Sequence, residues 1–217
     1  MPILQSAQYS LPCMNAAANT RQRILESARD LIYSRSYSDV GVAAICQRAG
    51  VKKGSFYHFF PSKQELTLAV IDVYFVEYKE QIFAQAFAPD LPPLERLGRF
   101  VELAYRFQKE IANTLGHTLG CPFGNLAAEM STRDESIRRK VEQVFAQLES
   151  RFAATLYEAA GRGDLGAEVD IEATAKAMFA YIEGIMLMAK TRNDPEVARQ
   201  LGPAMAEIRI PKLSAAA

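Results

Sequence analysis

Six residues in a row of seven carry side chains or backbone suited to an extended anion: Lys52, Lys53, Gly54, Ser55, Tyr57 and His58. The two lysines can neutralise phosphates. The Ser55 hydroxyl can bond a phosphate or a base edge. Tyr57 and His58 offer aromatic surface with polar tips, suited to a thymine methyl or a phosphate oxygen. Taken singly, Tyr57 and His58 fit equally well on a solvated helix face. What must position them is a pair of short helices, about 41–48 and 53–59, joined by the turn Ala49-Gly50-Val51-Lys52. Two short helices joined by a tight glycine-containing turn make a helix-turn-helix, whose second helix lies in the major groove with its N-terminal residues on base edges. Gly50 suits the left-handed end of the first helix. The amides at the start of the second helix favour an anion. Gly41 is an acceptable cap for the first helix. Lys63, at the next helix start, is placed to clamp the backbone of a nucleic acid. Phe56 and Phe59 are expected to pack inward.

A second place holds reactive chemistry. Pro122 suits the first turn of a helix, so Cys121 stands at a helix N-terminus, where the dipole favours a thiolate. His117, four residues upstream, is expected to add positive charge. Two readings stand side by side: a thiol that reacts with an electrophile or oxidant, and a small hydrophobe packed at a helix start. An enzyme with Cys121 as nucleophile and His117 as base is a third, weaker one, since one Cys with one nearby His is a thin signal. Cys46 is expected to be core, and Cys13 incidental. With two histidines in the chain and no CxxC or HExxH, neither a metal site nor a cofactor is expected.

The wider chain supports helices throughout. Ile24, Leu25, Ala28, Leu31 and Ile32 recur at three- and four-residue spacing, with Arg21, Arg23 and Arg29 off that face. Ser62 and Glu65 form a capping box that starts a long helix, 63–87. Further helices are expected over 94–115, 122–130, 134–160, 171–191 and 195–208, with proline- and glycine-marked breaks between them. Nothing alternates with period two, so the chain reads as all-α with about nine helices.

The 217 residues are 49% hydrophobic and 23% charged, values that exclude wholesale disorder and a disulfide scaffold. Net charge is zero but uneven: residues 19–65 carry eight Lys/Arg against four Asp/Glu, whereas 66–217 carry seventeen against twenty-one. A basic end joined to an acidic body points the basic end at an anion. No apolar run reaches the roughly 18–20 residues of a membrane span. The uncharged first 18 residues do not make a signal peptide, so a cytoplasmic protein with no membrane partner is expected. The division is a loose tail over 1–18, a three-helix helix-turn-helix head over 19–65 and a helical-bundle body over 66–217.

Residues 40–66, VGVAAICQRAGVKKGSFYHFFPSKQEL, resemble the DNA-binding signature of the TetR family of bacterial transcriptional repressors. The matching positions are Ile45, Ala49-Gly50-Val51, Lys53-Gly54, Phe56 to Phe60 and Ser62-Lys63. The resemblance implies nine or ten helices, a homodimer on double-stranded operator DNA, and a body that binds a small-molecule inducer and dimerises. Gly41 departs from the pattern: many members carry Ser or Thr at Val40-Gly41, and glycine removes that side-chain phosphate contact. Gly120 to Met130 is similar to a segment of regulators that respond to acrylate and other electrophilic or unsaturated molecules.

With that body in view, Tyr74, Tyr78, Phe100, Tyr105, Phe145 and Phe152 are candidates to line a pocket beside Cys121 and His117. Each also reads as plain core. In the helix 171–191, small residues at Ala173, Ala177, Ala180 and Gly184 allow close approach of another helix. Met178, Tyr181, Ile182, Ile185 and Met188 are then the expected dimer face. The combined expectation is a ligand-responsive repressor, not an enzyme, released from a palindromic operator by a small-molecule inducer, with electrophiles among the candidates. An activator of the same fold and a thiol-dependent enzyme remain alternatives.

Overall fold

The computed structural model describes residues 16–213. The expected tail over 1–18, with Cys13, lies almost wholly outside them. Among the described residues the chain is helical, with one isolated bridge between Val169 and Pro211 and no strand. The helices are α1 Ala16–Ser34, α2 Val42–Ala49, α3 Lys53–Phe59, α4 Lys63–Tyr78, α5 Ala84–Ala86, α6 Pro93–Leu115, α7 Pro122–Met130, α8 Glu135–Gly161, α9 Ile171–Arg192 and α10 Glu196–Leu201. A π-helical turn, Lys79–Phe83, joins α4 to α5 without a break in helical backbone, and a 3-10 turn, Gly202–Glu207, follows α10. The long helix expected over 63–87 is therefore α4, the π turn and α5 in succession. The last helix expected over 195–208 is α10 plus the 3-10 turn.

Two compact units divide the chain, and the first is discontinuous: residues 1–76 together with 122–141. The expected head, 19–65, falls wholly inside it, and so does α7. Its core is the apolar face of α1 (Ile24, Leu25, Ala28) with Ile45 of α2, Phe56 of α3, Leu66, Val70 and Ile71 of α4, and Phe123 of α7, all buried. Tyr74 and Phe75 meet the Phe123 ring edge-on at 6.3 and 6.2 Å. Arg29, off the apolar face of α1, is nonetheless buried; Asp30 pairs with it at 3.1 Å and with Arg48 at 2.8 Å, so the buried guanidinium has a carboxylate partner.

The second unit, 77–121 with 142–217, centres on aromatic rings. Phe83, Phe87, Phe100 and Phe152 are all buried, with Phe100 meeting Phe152 edge-on at 5.1 Å and Phe83 at 6.0 Å. Such edge-on contacts add to the stabilisation from area alone. Arg96 of α6 reaches Glu158 of α8 with two bonds at 2.7 and 3.0 Å. Asp170 caps α9 by accepting the Ala173 amide at 3.0 Å.

Candidate nucleic-acid interface and thiol site

The turn between α2 and α3 is set by one left-handed residue. Gly50 has φ +63, and its amide caps α2 on the Cys46 and Gln47 carbonyls. The Arg23 guanidinium then binds the carbonyls of Ala49 and Gly50, fastening α1 to the turn. The left-handed φ favours glycine here, and a Cβ on Gly50 would meet Arg23 Nη2 at 2.8 Å and push that guanidinium aside.

Behind α3, Phe56 and Phe60 are buried and Phe59 is half-buried, so the deeper anchor is Phe60 where Phe59 was expected. The Arg21 guanidinium lies 5.2 Å from the Phe60 ring centre. In front, Lys52, Lys53, Gly54, Tyr57 and His58 are exposed and Ser55 is half-buried. Lys52 occupies the N-cap of α3 without a side-chain cap bond. Lys52 and Lys53 thus present two cations to the exterior at the start of α3, which suits an anion. Gly41 is exposed and caps α2 through backbone alone, with φ −85 and ψ 158. Cys46 is buried in α2, and burial pushes its thiol pKa up against the opposing charge of Lys53. That is the core placement expected for it.

Lys63 sits differently from a phosphate clamp. Its ammonium donates to the Tyr37 carbonyl at 2.9 Å and the Val40 carbonyl at 3.1 Å, and lies 3.9 Å from the Tyr37 ring centre. Burial pulls its pKa down, opposed by Glu129. The same loop is gripped by Glu129 of α7, whose two carboxylate oxygens accept the Tyr37 and Ser38 amides, each at 2.8 Å. Burial raises the Glu129 pKa, but the bonds from Ser38 and Tyr37, with Arg133 nearby, hold it below the usual carboxylate value. Sequence reasoning did not single out Glu129, because nothing in its spacing signals a partner some ninety residues away.

Cys121 is half-buried at the start of α7. Gly120 before it has φ +72, and a Cβ there would meet the Met186 carbonyl oxygen at 3.2 Å and Lys190 Cβ at 3.4 Å, so its backbone lies against α9. Gln108 clamps that backbone from α6, donating to the Gly120 carbonyl and accepting its amide, both at 2.9 Å. The Cys121 thiol donates a hydrogen bond to Glu183 of α9; burial pushes the Glu183 carboxyl up to about 7, against this bond. His117 is exposed. The thiol thus has an acid of α9 as a neighbour, a partner its local sequence does not signal. The signal that could have found Glu183 was its misfit inside the apolar run around 181–189.

Of the aromatic candidates, Tyr78, Phe100 and Phe152 fall in one cluster, joined through Phe83. Tyr74 belongs to the first unit, where its hydroxyl donates to the Arg29 carbonyl at 2.8 Å. In the second unit Phe100 and Phe152 close the aromatic cluster. Tyr78 stacks edge-on with Phe83 at 5.3 Å, and Phe145 with Phe179 at 4.9 Å. The Tyr105 hydroxyl donates to Glu196 at 2.6 Å. Among the expected dimer residues, Met178, Ile182 and Ile185 are buried within the protomer and Tyr181 bonds the Leu201 carbonyl at 3.0 Å. Their side chains are consumed by intramolecular packing. The apolar surface left exposed by α9 is Leu187, at 64%, and Met188, at 38%, with Tyr157 of α8 exposed at 54%.

Among the described residues no cluster of His, Cys, Asp and Glu could hold a metal, and no helix is long and apolar enough to cross a membrane.

Residues 24–70 match the family described as bacterial regulatory proteins, tetR family, and residues 93–205 match the tetracyclin repressor-like C-terminal domain. An uncharacterized HTH-type transcriptional regulator in the lacX 3' region of Lactococcus lactis is 33% identical over 181 residues, covering 82% of this chain and 87% of that protein. Transcriptional regulator AcuR of Cereibacter sphaeroides is 33% identical over 183 residues, covering 83% of this chain and 80% of that protein. The crystal structure of a regulatory protein TetR from Rhodobacter sphaeroides superposes with a TM-score of 0.77 at 31% identity, covering 88% of this chain and 99% of the other.

Proposed function

This chain belongs to the TetR family of bacterial transcriptional regulators, and from that premise we propose that it is a ligand-responsive repressor working as a homodimer on a palindromic operator. The observation that carries this reading is the exposed front of α3, where Lys52, Lys53, Gly54, Tyr57 and His58 stand outward while Phe56 and Phe60 anchor the back. A dimer sets two such helices about 34–36 Å apart, one turn of DNA, so that they enter successive major grooves. Lysine contacts to phosphate supply affinity, while Tyr57, His58 and Ser55 read base edges. Exposed Leu187, Met188 and Tyr157 support a partner face on α8 and α9.

The inducer we assign to the thiol site is an activated alkene. Glu183, with its carboxyl near neutrality, is suited to take a proton from Cys121 and return it. The thiol proton passes to the Glu183 carboxylate as sulfur bonds the β-carbon. The alkene electrons move to the α-carbon, which takes the proton back from Glu183. The adduct favours a conformation whose two α3 helices no longer match successive grooves. Its effect is bounded by the difference in its free energy between the two conformations.

The test is footprinting on DNA upstream of the protein's own gene across a salt series. A protected near-palindrome supports the reading and supplies the assay for inducers. Uniform, salt-sensitive coverage with no protected site at any salt counts against it.

A further inference from the structure

We propose that Glu129 is a positioning residue for DNA binding: its carboxylate sets the loop that leads into α2, and thereby ties operator affinity to the placement of α7. The inference deepens the repressor reading and rests on it.

The loop 36–40 is held at its polar backbone atoms by groups from outside it. Both Glu129 oxygens are spent on consecutive amides, Tyr37 and Ser38, at 2.8 Å each. Lys63 takes the carbonyls of Tyr37 and Val40 at 2.9 and 3.1 Å. An anion thus holds the donors and a cation holds the acceptors of one short segment. Within the loop, Ser36 Oγ accepts the Asp39 amide at 3.1 Å.

The next residue, Gly41, is the N-cap of α2 and makes no side-chain cap bond. A Ser, Thr, Asp or Asn cap fixes its own helix start. Here that local device is missing, and the charged grip on the preceding residues takes over the task. α3 follows α2 through the Arg23-fastened turn, so the loop geometry carries to the exposed lysines.

Glu129 is poorly placed to be a passive decoration. It lies on a nine-residue helix whose Phe123 is fully packed against Tyr74 and Phe75. The residue preceding that helix is Cys121. N–H···O bonds span about 2.7–3.2 Å, so a displacement of α7 by about 1 Å away from the loop breaks both contacts together. A shift of α7 therefore reaches the DNA-reading helix through Glu129.

The full-length chain tests this with Glu129→Ala and Glu129→Gln. Affinities are measured for the footprinted fragment and for a fragment of unrelated sequence, with amide exchange followed at Tyr37 and Ser38. Expected for Glu129→Ala is exchange faster at both amides, specific affinity lower by roughly tenfold, and non-specific affinity and salt slope unchanged. Glu129→Gln, which keeps a neutral acceptor, falls between Ala and wild type. Loss of helical circular dichroism in Glu129→Ala would pass the decision to Glu129→Gln. Wild-type specific affinity in a folded variant whose Tyr37 and Ser38 amides exchange faster overturns the proposal. A wild-type chain with no footprint anywhere overturns instead the repressor reading beneath it.

Discussion

The Lys63 ammonium donates to the Tyr37 carbonyl at 2.9 Å, which spends a cation of the DNA-binding head on the protein's own backbone. A lysine so engaged releases few counterions when DNA binds. Lys63→Ala is therefore expected to lower specific affinity by loosening the loop, with the salt slope nearly unchanged. Lys52→Ala and Lys53→Ala, which remove exposed charges, each lower the slope by about one unit. Binding isotherms over a salt series separate the two behaviours; a one-unit drop in Lys63→Ala would restore it as a phosphate contact.

Tyr57 is 54% exposed on the front of α3 while its neighbour Phe56 is buried. Its ring meets the buried Phe56 ring edge-on at 5.1 Å, so Tyr57→Ala removes one edge contact and lowers stability by about 0.5–1.5 kcal/mol. Specific affinity falls by about 1–3 kcal/mol if the ring reads a base, and non-specific affinity is unchanged. Unaltered specific binding would remove Tyr57 from the groove.

Gly50→Ala forces a Cβ into a left-handed residue and against Arg23 Nη2 at 2.8 Å. The conformation alone costs about 1–2 kcal/mol, and the displaced guanidinium loses its hold on the turn. Thermal unfolding should shift down by several degrees. An unchanged midpoint would mean that the turn relaxes at little cost.

Glu183 has its carboxyl raised by burial from 4.5 to about 7. Between those values the folded chain holds a proton that the unfolded chain has lost. Stability therefore falls as pH rises through this window and levels off above it. Glu183→Gln removes that slope and is more stable than wild type at pH 8, on the order of 1 kcal/mol. Denaturant titrations at pH 5, 6.5 and 8 check the sign; parallel curves for the two proteins would contradict it.

The same carboxyl governs the thiol. Alkylation of Cys121 by an activated alkene is expected to accelerate through pH 7, and Glu183→Gln to lose that inflection. Cys121→Ser keeps operator binding and is not released by the electrophile. Full release of Cys121→Ser would exclude this thiol as the switch.

The sequence by itself determined the features written in neighbouring residues. Gly50 as a left-handed stop, the Ser62 cap that accepts the Glu65 amide at 3.0 Å, the inward face of α1 and the outward lysines of α3 all depend on spacings of three or four. Helix geometry converts such spacings into faces without help from the rest of the chain. Tertiary structure decided what each polar group on those faces meets. Arg29 lies off the apolar face of α1, yet the fold buries it and pairs it with Asp30. Met178, Ile182 and Ile185 looked like partner surface until the protomer itself buried them. The Glu129 grip on Tyr37 and Ser38 and the Cys121 bond to Glu183 join residues more than sixty positions apart. Their pairing follows from how apolar faces pack, and packing is a property of the whole chain, invisible to any local period.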